Sequence, residues 1–305
     1  MTRAILIMGP TASGKSALAL ALAERTGGEI INVDSMQVYR DLRVLTARPT
    51  AEEEGRAPHH LYGHIDAAKL YSTGRWLGDA LAAIATVRAR NRIPILVGGT
   101  GLYFKALTQG LAEMPPVDPD VRAALRARAQ GEGASALHAE LVRVDPAAAA
   151  RIMPNDAPRI LRALEVFETC GEPISALQQN NTPALARADW IGFALTPERE
   201  ALYAGIDRRF DTMLGAGALE EVRALAARGL DSALPAMKAH GAPALMAHLR
   251  GEISLQEAAA IAKRDTRRYA KRQFTWIAGQ MSDWPRISAP DTAARLAFVA
   301  EEMHV

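Results

Sequence analysis

The sequence predicts an α/β fold: a parallel sheet flanked by helices, with an all-helical segment inserted into it. Three observations carry that reading. Short apolar runs alternate with helical stretches through the first third of the chain, the pattern of parallel strands joined by covering helices. Strand patterning then disappears from Met114 to Pro183, where Ala/Arg-rich sequence is broken by Asp118-Pro119, Asp145-Pro146, Asn155-Asp156-Ala157-Pro158 and Glu172-Pro173, all suitable helix boundaries. A further apolar run, Trp190-Ile191-Gly192-Phe193-Ala194-Leu195, returns to the sheet, and helical sequence resumes from Pro197 to about Ala278.

Taken in order, Ala4-Ile5-Leu6-Ile7-Met8 is the first strand. It runs into Gly9-Pro10-Thr11-Ala12-Ser13-Gly14-Lys15-Ser16, the spacing G-x-x-x-x-G-K-S between a strand and a helix, which is the context of a P-loop. The sheet is therefore expected to be P-loop NTPase-like. Glycines let the backbone curl with its N–H groups inward, and the next helix presents its positive end, so main chain alone cradles a phosphate or diphosphate. Lys15 adds a point charge. Ser16 is placed to hold Mg²⁺, which takes a few oxygen ligands together with water and substrate phosphates.

Ser16 to Glu24 reads as a helix closed near Gly27-Gly28. Glu29-Ile30-Ile31-Asn32-Val33 is a buried strand that delivers Asp34-Ser35-Met36-Gln37 at its carboxyl end. Ser72 caps a helix to about Arg90. Ile93-Pro94-Ile95-Leu96-Val97 is the next strand and opens onto Gly98-Gly99-Thr100-Gly101-Leu102-Tyr103. Three loops thus follow three strands, and ligands of open parallel sheets bind outside the strands' carboxyl ends, so all three are expected to line one crevice.

With 305 residues, 49% of them hydrophobic and 23% charged, the chain is long enough for more than one core. The expected domains are a catalytic core of 1–113 and 184–305, including the C-terminal helices, and a helical insertion of 114–183. A formal net charge of only +2 excludes a global polycation, so a nucleic-acid partner has to be argued from local clusters. One cysteine, Cys170, excludes an internal disulfide and a cysteine-based zinc site, and is read as a small buried packing residue. The few apolar residues before Gly9 are too short for a signal or a membrane span, so a cytoplasmic protein without membrane attachment is expected.

Asp34 has three readings: support for Mg²⁺, a general base over the transferred group, or a cap of the next turn. Thr100 either faces the crevice or caps the following helix. Arg122, Arg126 and Arg128 share a helix, as do Arg159 and Arg162; the planar guanidinium fork suits phosphate oxygens, but taken alone each of these arginines is read as part of a solvated face. Arg264, Arg267, Arg268, Lys271 and Arg272 form a basic stripe at helical spacing, interleaved with Tyr269, Phe274 and Trp276. Cations for phosphates and aromatics for stacking suit RNA, while the alternative is core aromatics beside solvated charges. His59, His60 and His64 lack a regular face and a third strong ligand, so no metal is assigned to them.

Assembled, these residues resemble the tRNA dimethylallyltransferase (isopentenyl-tRNA transferase) family nearly end to end: GPTASGKS at 9–16, DSMQVYR at 34–40, TARPT at 46–50, PHHLYG at 58–63, GGTGLYFKAL at 98–107, NDAPRILRALEVFETCG at 155–171 and KRQFTW at 271–276. The resemblance implies transfer of a dimethylallyl group from dimethylallyl diphosphate to the exocyclic N6 amine of the adenine 3′ of the anticodon, with Mg²⁺ as cofactor. It implies that Gly9, Pro10, Thr11, Ala12, Ser13, Gly14, Lys15 and Ser16 hold the diphosphate, that Asp34 is the base, and that Thr100 and Arg122 serve catalysis. It puts tRNA contacts on Asp34, Ser35, Met36 and Gln37, on Pro158, Arg159, Ile160, Leu161 and Arg162, and on Lys271, Arg272 and Gln273. The anticodon stem-loop is the expected partner, met by a monomer. The chain departs from the family pattern at Lys238-Ala239-His240-Gly241-Ala242-Pro243-Ala244, at Ala278 and at Pro158. The competing reading is a P-loop kinase that binds ATP and activates a hydroxyl through Asp34, which leaves the insertion and the basic-aromatic helix without a role.

Overall fold

The computed structural model describes residues 2–112, 114–179 and 181–303. Among these, six strands run as β1 (Ala4–Met8), β2 (Glu29–Asn32), β3 (His59–His60), β4 (Pro94–Gly98), β5 (Trp190–Leu195) and β6 (Arg286–Ile287). The helices are α1 (Lys15–Thr26), α2 (Ala51–Arg56), α3 (Thr73–Ala89), α4 (Gly101–Gln109), α5 (Pro119–Glu132), α6 (Ala134–Val144), α7 (Pro146–Ala149), α8 (Ala157–Cys170), α9 (Ile174–Leu177), α10 (Arg199–Gly215), α11 (Ala218–Ala227), α12 (Ala242–Leu249), α13 (Leu255–Gln280) and α14 (Thr292–Met303).

All six strands are parallel in the order β3-β2-β4-β1-β5-β6, with Met8 level with Gly98 on one side and Ala194 on the other. The sheet is P-loop NTPase-like, buried on both faces as an all-parallel sheet must be. Alternation along β1 sends Ile5 and Ile7 into a core under α1 and α14 with Leu18, Leu22 and Val299, and sends Leu6 and Met8 to the opposite face with Trp76, Phe104 and Trp284. Each such side chain removed from water contributes about 1.5–3 kcal/mol. Gly192 in β5 is required by that packing, because a Cβ there would meet the Trp284 ring at 2.5 Å.

The strands and helices expected from sequence all form, with Ser72 capping α3 through Arg75 N and Gly27 closing α1 in a left-handed conformation. The short edges β3 and β6 come in addition. The chain divides into two compact units, residues 1–108 with 185–305, and residues 109–184. The expected boundary at residue 113 lies outside the described residues. Among the described residues the second unit contains helices and no strand, α5 to α9 packing around Leu125, Leu137, Leu141, Ile160, Leu164 and Val166. Buried Asp145 holds it together, accepting from Ala148 N, Ser175 N and Ser175 Oγ at 2.9, 2.9 and 2.6 Å. Cys170 corrects one expectation: it is exposed, because it ends α8 just before the Gly171 cap rather than facing that core.

Candidate active site

The three strand-end loops are laced together by main chain. Gly9 N donates to Gly98 O at 3.3 Å, Val33 N to Val97 O at 2.9 Å, and Thr100 N to Val33 O at 3.1 Å. Gly98 is what allows this approach, since a Cβ there would stand 2.0 Å from the Val33 carbonyl oxygen. The P-loop itself is held in uncommon backbone: Gly14 has φ 82° and Ala12 φ 63°, the latter costing about 1–3 kcal/mol for a residue with a side chain. Ser13 N closes the loop on Pro10 O at 3.2 Å, while its buried Oγ has no partner among the described residues.

Lys15 curls back so that Nζ donates to Pro10 O at 3.2 Å. Burial pushes its pKa down to about 8, with nearby Asp34 opposing and Arg209 reinforcing that shift. A lysine so placed gains most from an anion. Ser16 is exposed in the first turn of α1, and no group of three or more His, Cys, Asp or Glu side chains that could hold a metal occurs among the described residues. A hydroxyl beside a phosphate cradle fits a Mg²⁺ ion that arrives with phosphate oxygens and water, and does not form an all-protein metal cage.

Asp34 is set by Asn32, a fully buried polar residue in β2. Asn32 Oδ1 accepts from Asp34 N at 2.9 Å, Asn32 Nδ2 donates to Asp34 O at 3.0 Å, and Trp76 Nε1 donates to Asn32 O at 3.0 Å. Asp34 Oδ1 caps the next turn, accepting from Met36 N at 2.8 Å and Gln37 N at 3.3 Å. Oδ2 takes no hydrogen bond among the described residues, so one oxygen serves the fold and the other stays available. Thr100 does not cap α4; its Oγ1 accepts from Ser35 N at 3.0 Å and donates to Ser35 Oγ at 3.4 Å, joining the β2 and β4 loops.

Two cavities meet at Asp34. One, of about 810 Å³, is lined by the P-loop residues Thr11, Gly14, Lys15 and Ser16 and by Arg43, Arg48 and Arg209. The other, of about 180 Å³, is lined by Met36, Leu45, Phe210, Met213, His240 and Tyr269. Asp34, Thr11, Thr46, Arg209 and Met213 wall both. The smaller cavity shares Lys238 and His240 with an outer groove that also carries Arg268 and Arg272. His240 and Tyr269 rings lie 4.5 Å apart. Burial pushes the His240 imidazole down, as does Arg272, and burial pushes the Tyr269 hydroxyl up, as does Asp34.

Arg209, on α10, is a site residue that the sequence reading missed. Its Nη2 donates to Thr11 Oγ1, and burial lowers its pKa while Asp34 counteracts that. No local pattern marks it.

The stretch beginning at Lys271 divides by helical period. Lys271 and Arg272 are exposed, whereas Gln273 faces inward at 4% exposure. Gln273 Oε1 accepts from Thr11 N and Nε2 donates to Gly99 O, both at 2.9 Å. Its amide is committed within the protein. Gln37 is similarly engaged, its Nε2 donating to Thr46 O and Ala47 O at 2.9 and 2.8 Å. Ser35 and Met36 line the smaller cavity.

The remaining expected residues lie in the helical unit. Arg122 on α5 and Arg162 on α8 both approach buried Glu165, at 3.4 and 3.7 Å. Arg159 is exposed beside Asp156, and Pro158 occupies the first turn of α8. Ile160 is fully buried in that unit's core and Leu161 packs against it, so the Ile160 side chain offers no surface to RNA. The three histidines serve separate contacts: His59 Nδ1 donates to Ala57 O, His60 Nε2 meets Glu29 and His64 Nε2 meets Tyr71 Oη.

Similarity to known proteins extends over nearly the whole chain. A sequence model described as IPP transferase matches residues 37–280, and one described as isopentenyl transferase matches residues 2–60. The chain is 60% identical over 297 residues to the tRNA dimethylallyltransferase of Nitrobacter hamburgensis, covering 97% of this chain and 94% of that one. It is similar to the crystal structure of the tRNA isopentenylpyrophosphate transferase of Bacillus halodurans, with a TM-score of 0.72, 34% identity, and coverage of 100% and 96%. A eukaryotic dimethylallyltransferase solved acting on tRNA gives a TM-score of 0.81 at 28% identity, covering 96% and 75%. With matches that reach from the P-loop through the basic-aromatic helix, the chain belongs to the IPP transferase family, the tRNA dimethylallyltransferases.

Proposed function

We propose that the protein transfers a dimethylallyl group from dimethylallyl diphosphate to N6 of the adenine 3′ of the anticodon in tRNA, releasing diphosphate. The observation that carries this reading is the position of Asp34, where a cavity of phosphate-binding groups meets a cavity of aromatic and apolar ones. The diphosphate enters the first and the extruded purine the second, whose lining includes Met36 and Tyr269. Leaving the stack costs a few kcal/mol, less in a loop than in a duplex.

Adenine's amine is a weak nucleophile because its lone pair is delocalised into the ring. As N6 attacks the allylic carbon, the N–C bond forms, the C–O bond to diphosphate breaks, and Asp34 Oδ2 accepts the N6 proton. Negative charge grows on the departing diphosphate, where the free amides at the start of α1, Lys15 and Arg209 stabilise it without reorganising. The Ser16 hydroxyl would hold Mg²⁺, which would supply further positive charge there. Thr100 keeps the Asp34 loop against β4.

tRNA is gripped by the exposed cations Lys271 and Arg272 and by Lys238 in the outer groove, with Arg159 and Arg162 contributing from the helical unit. The protein is read as acting as a cytoplasmic monomer; among the described residues no helix is long and apolar enough to cross a membrane. Incubation with labelled dimethylallyl diphosphate and unmodified tRNA tests the reading, beside an ATP-hydrolysis control. Label in the tRNA anticodon fragment is expected; ADP formation without label transfer overturns it.

A further inference from the structure

Arg295, on α14, stands directly behind the P-loop and outside both matched spans, 2–60 and 37–280. It is only 6% exposed. Its Nη1 donates to Ser13 O at 2.8 Å and its Nε to Ala289 O at 2.7 Å. Burial lowers its pKa and Asp291 counteracts that, yet Asp291 forms no ion pair with it among the described residues. A guanidinium buried without a carboxylate partner is costly, so its location calls for a reason.

Peptide geometry supplies one. In a planar trans peptide the C=O and N–H point in opposite directions, so a Ser13 carbonyl turned toward Arg295 sends the Gly14 N–H the other way. The first helical bond past that point is Leu18 N to Gly14 O at 3.2 Å, and the Gly14 N–H has no protein acceptor among the described residues. Gly14 permits the close approach twice over, through its φ of 82° and because a Cβ there would stand 2.3 Å from Arg295 Nη1.

We propose that Arg295 is a positioning residue of the diphosphate site: its hydrogen bond to the Ser13 carbonyl fixes the 13–14 peptide with its N–H toward the cavity. The inference rests on the diphosphate reading of the P-loop above. Arg295 touches no substrate. Bound diphosphate supplies the counter-charge that the fold withholds, so donor binding and the seat of α14 are coupled through one carbonyl.

The test is calorimetric titration of the full chain with inorganic diphosphate and Mg²⁺, together with steady-state kinetics, for wild type, Arg295→Gln and Arg295→Lys. Arg295→Gln is expected to weaken diphosphate binding and raise KM for dimethylallyl diphosphate about tenfold, with kcat and tRNA affinity changed less than about twofold. Arg295→Lys, which keeps a charged donor for Ser13 O, is expected to recover most of the affinity. A lower Tm with unchanged diphosphate affinity in Arg295→Gln overturns the positioning role while leaving the diphosphate reading intact. Wild type that binds no diphosphate overturns both. Should Arg295→Gln not fold, the Arg295 Nε–H resonance of the wild type decides: it is expected to shift on diphosphate titration, and an unmoved resonance overturns the proposal.

Discussion

Gln273 accepts a hydrogen bond from the main-chain N–H of Thr11 at 2.9 Å while its other amide end reaches Gly99 O, so one side chain of α13 buckles the P-loop to the end of β4. Replacing it with Leu keeps the volume and strands a donor and an acceptor, each at about 1–3 kcal/mol. Gln273→Leu is therefore expected to lower the urea midpoint and raise KM for the prenyl diphosphate, with tRNA affinity largely kept. Equilibrium unfolding and initial-rate kinetics read both effects; a loss confined to tRNA binding contradicts the assignment.

Lys15 gives the site a basic limb. Its pKa, pushed down to about 8 by burial, means that the ammonium is lost as pH rises through that value in the free enzyme. Since kcat/KM reports free-enzyme ionisations, kcat/KM for the donor is expected to fall with pH above about 8. Lys15→Arg keeps its charge and is expected to lose this limb, whatever its absolute rate. A wild-type profile level to about pH 9.5 contradicts it.

The exposed half of the 271–273 segment serves RNA. Lys271→Ala and Arg272→Ala are each expected to weaken tRNA binding and to flatten the slope of log affinity against log salt by about 1. Filter binding over a salt series measures this. Unchanged slopes in both would leave the stripe as a solvated face.

In the helical unit, Arg159 and Ile160 are neighbours with opposite roles. Arg159→Ala is expected to weaken tRNA binding with little change in stability. Ile160→Val is expected to cost about 0.5–1.5 kcal/mol of that unit's stability and nothing in RNA affinity beyond it. Thermal melts paired with binding titrations separate them, and weaker RNA binding by Ile160→Val at unchanged stability contradicts the burial argument.

Much of the core was legible because its signals are local. Five-residue apolar runs, the P-loop spacing, the Ser72 cap and Gly27 each announce their element within a few residues. Two-residue edges such as β3 and β6 carry no periodicity and were invisible for that reason. Arg209 and Arg295 act on the P-loop from α10 and α14, and nothing within a turn of either distinguishes it from a surface arginine; only the tertiary approach does. Gln273 was recoverable. Counting at 3.6 residues per turn puts it with Ala270 and Ile277 on the buried face and Lys271 and Arg272 on the other. Asn32, a polar residue inside an apolar strand, was a comparable clue to what orients Asp34.

Prenyl transfer depends on Asp34 taking a proton where the two cavities meet. Single-turnover transfer of labelled dimethylallyl from its diphosphate to tRNA, compared for wild type and Asp34→Asn at saturating substrates, tests this most directly. Asparagine preserves the Oδ1 bonds to Met36 N and Gln37 N but cannot accept the proton, so the rate is expected to drop about 10²- to 10⁴-fold with tRNA affinity retained. A rate within about threefold of wild type would contradict the base assignment.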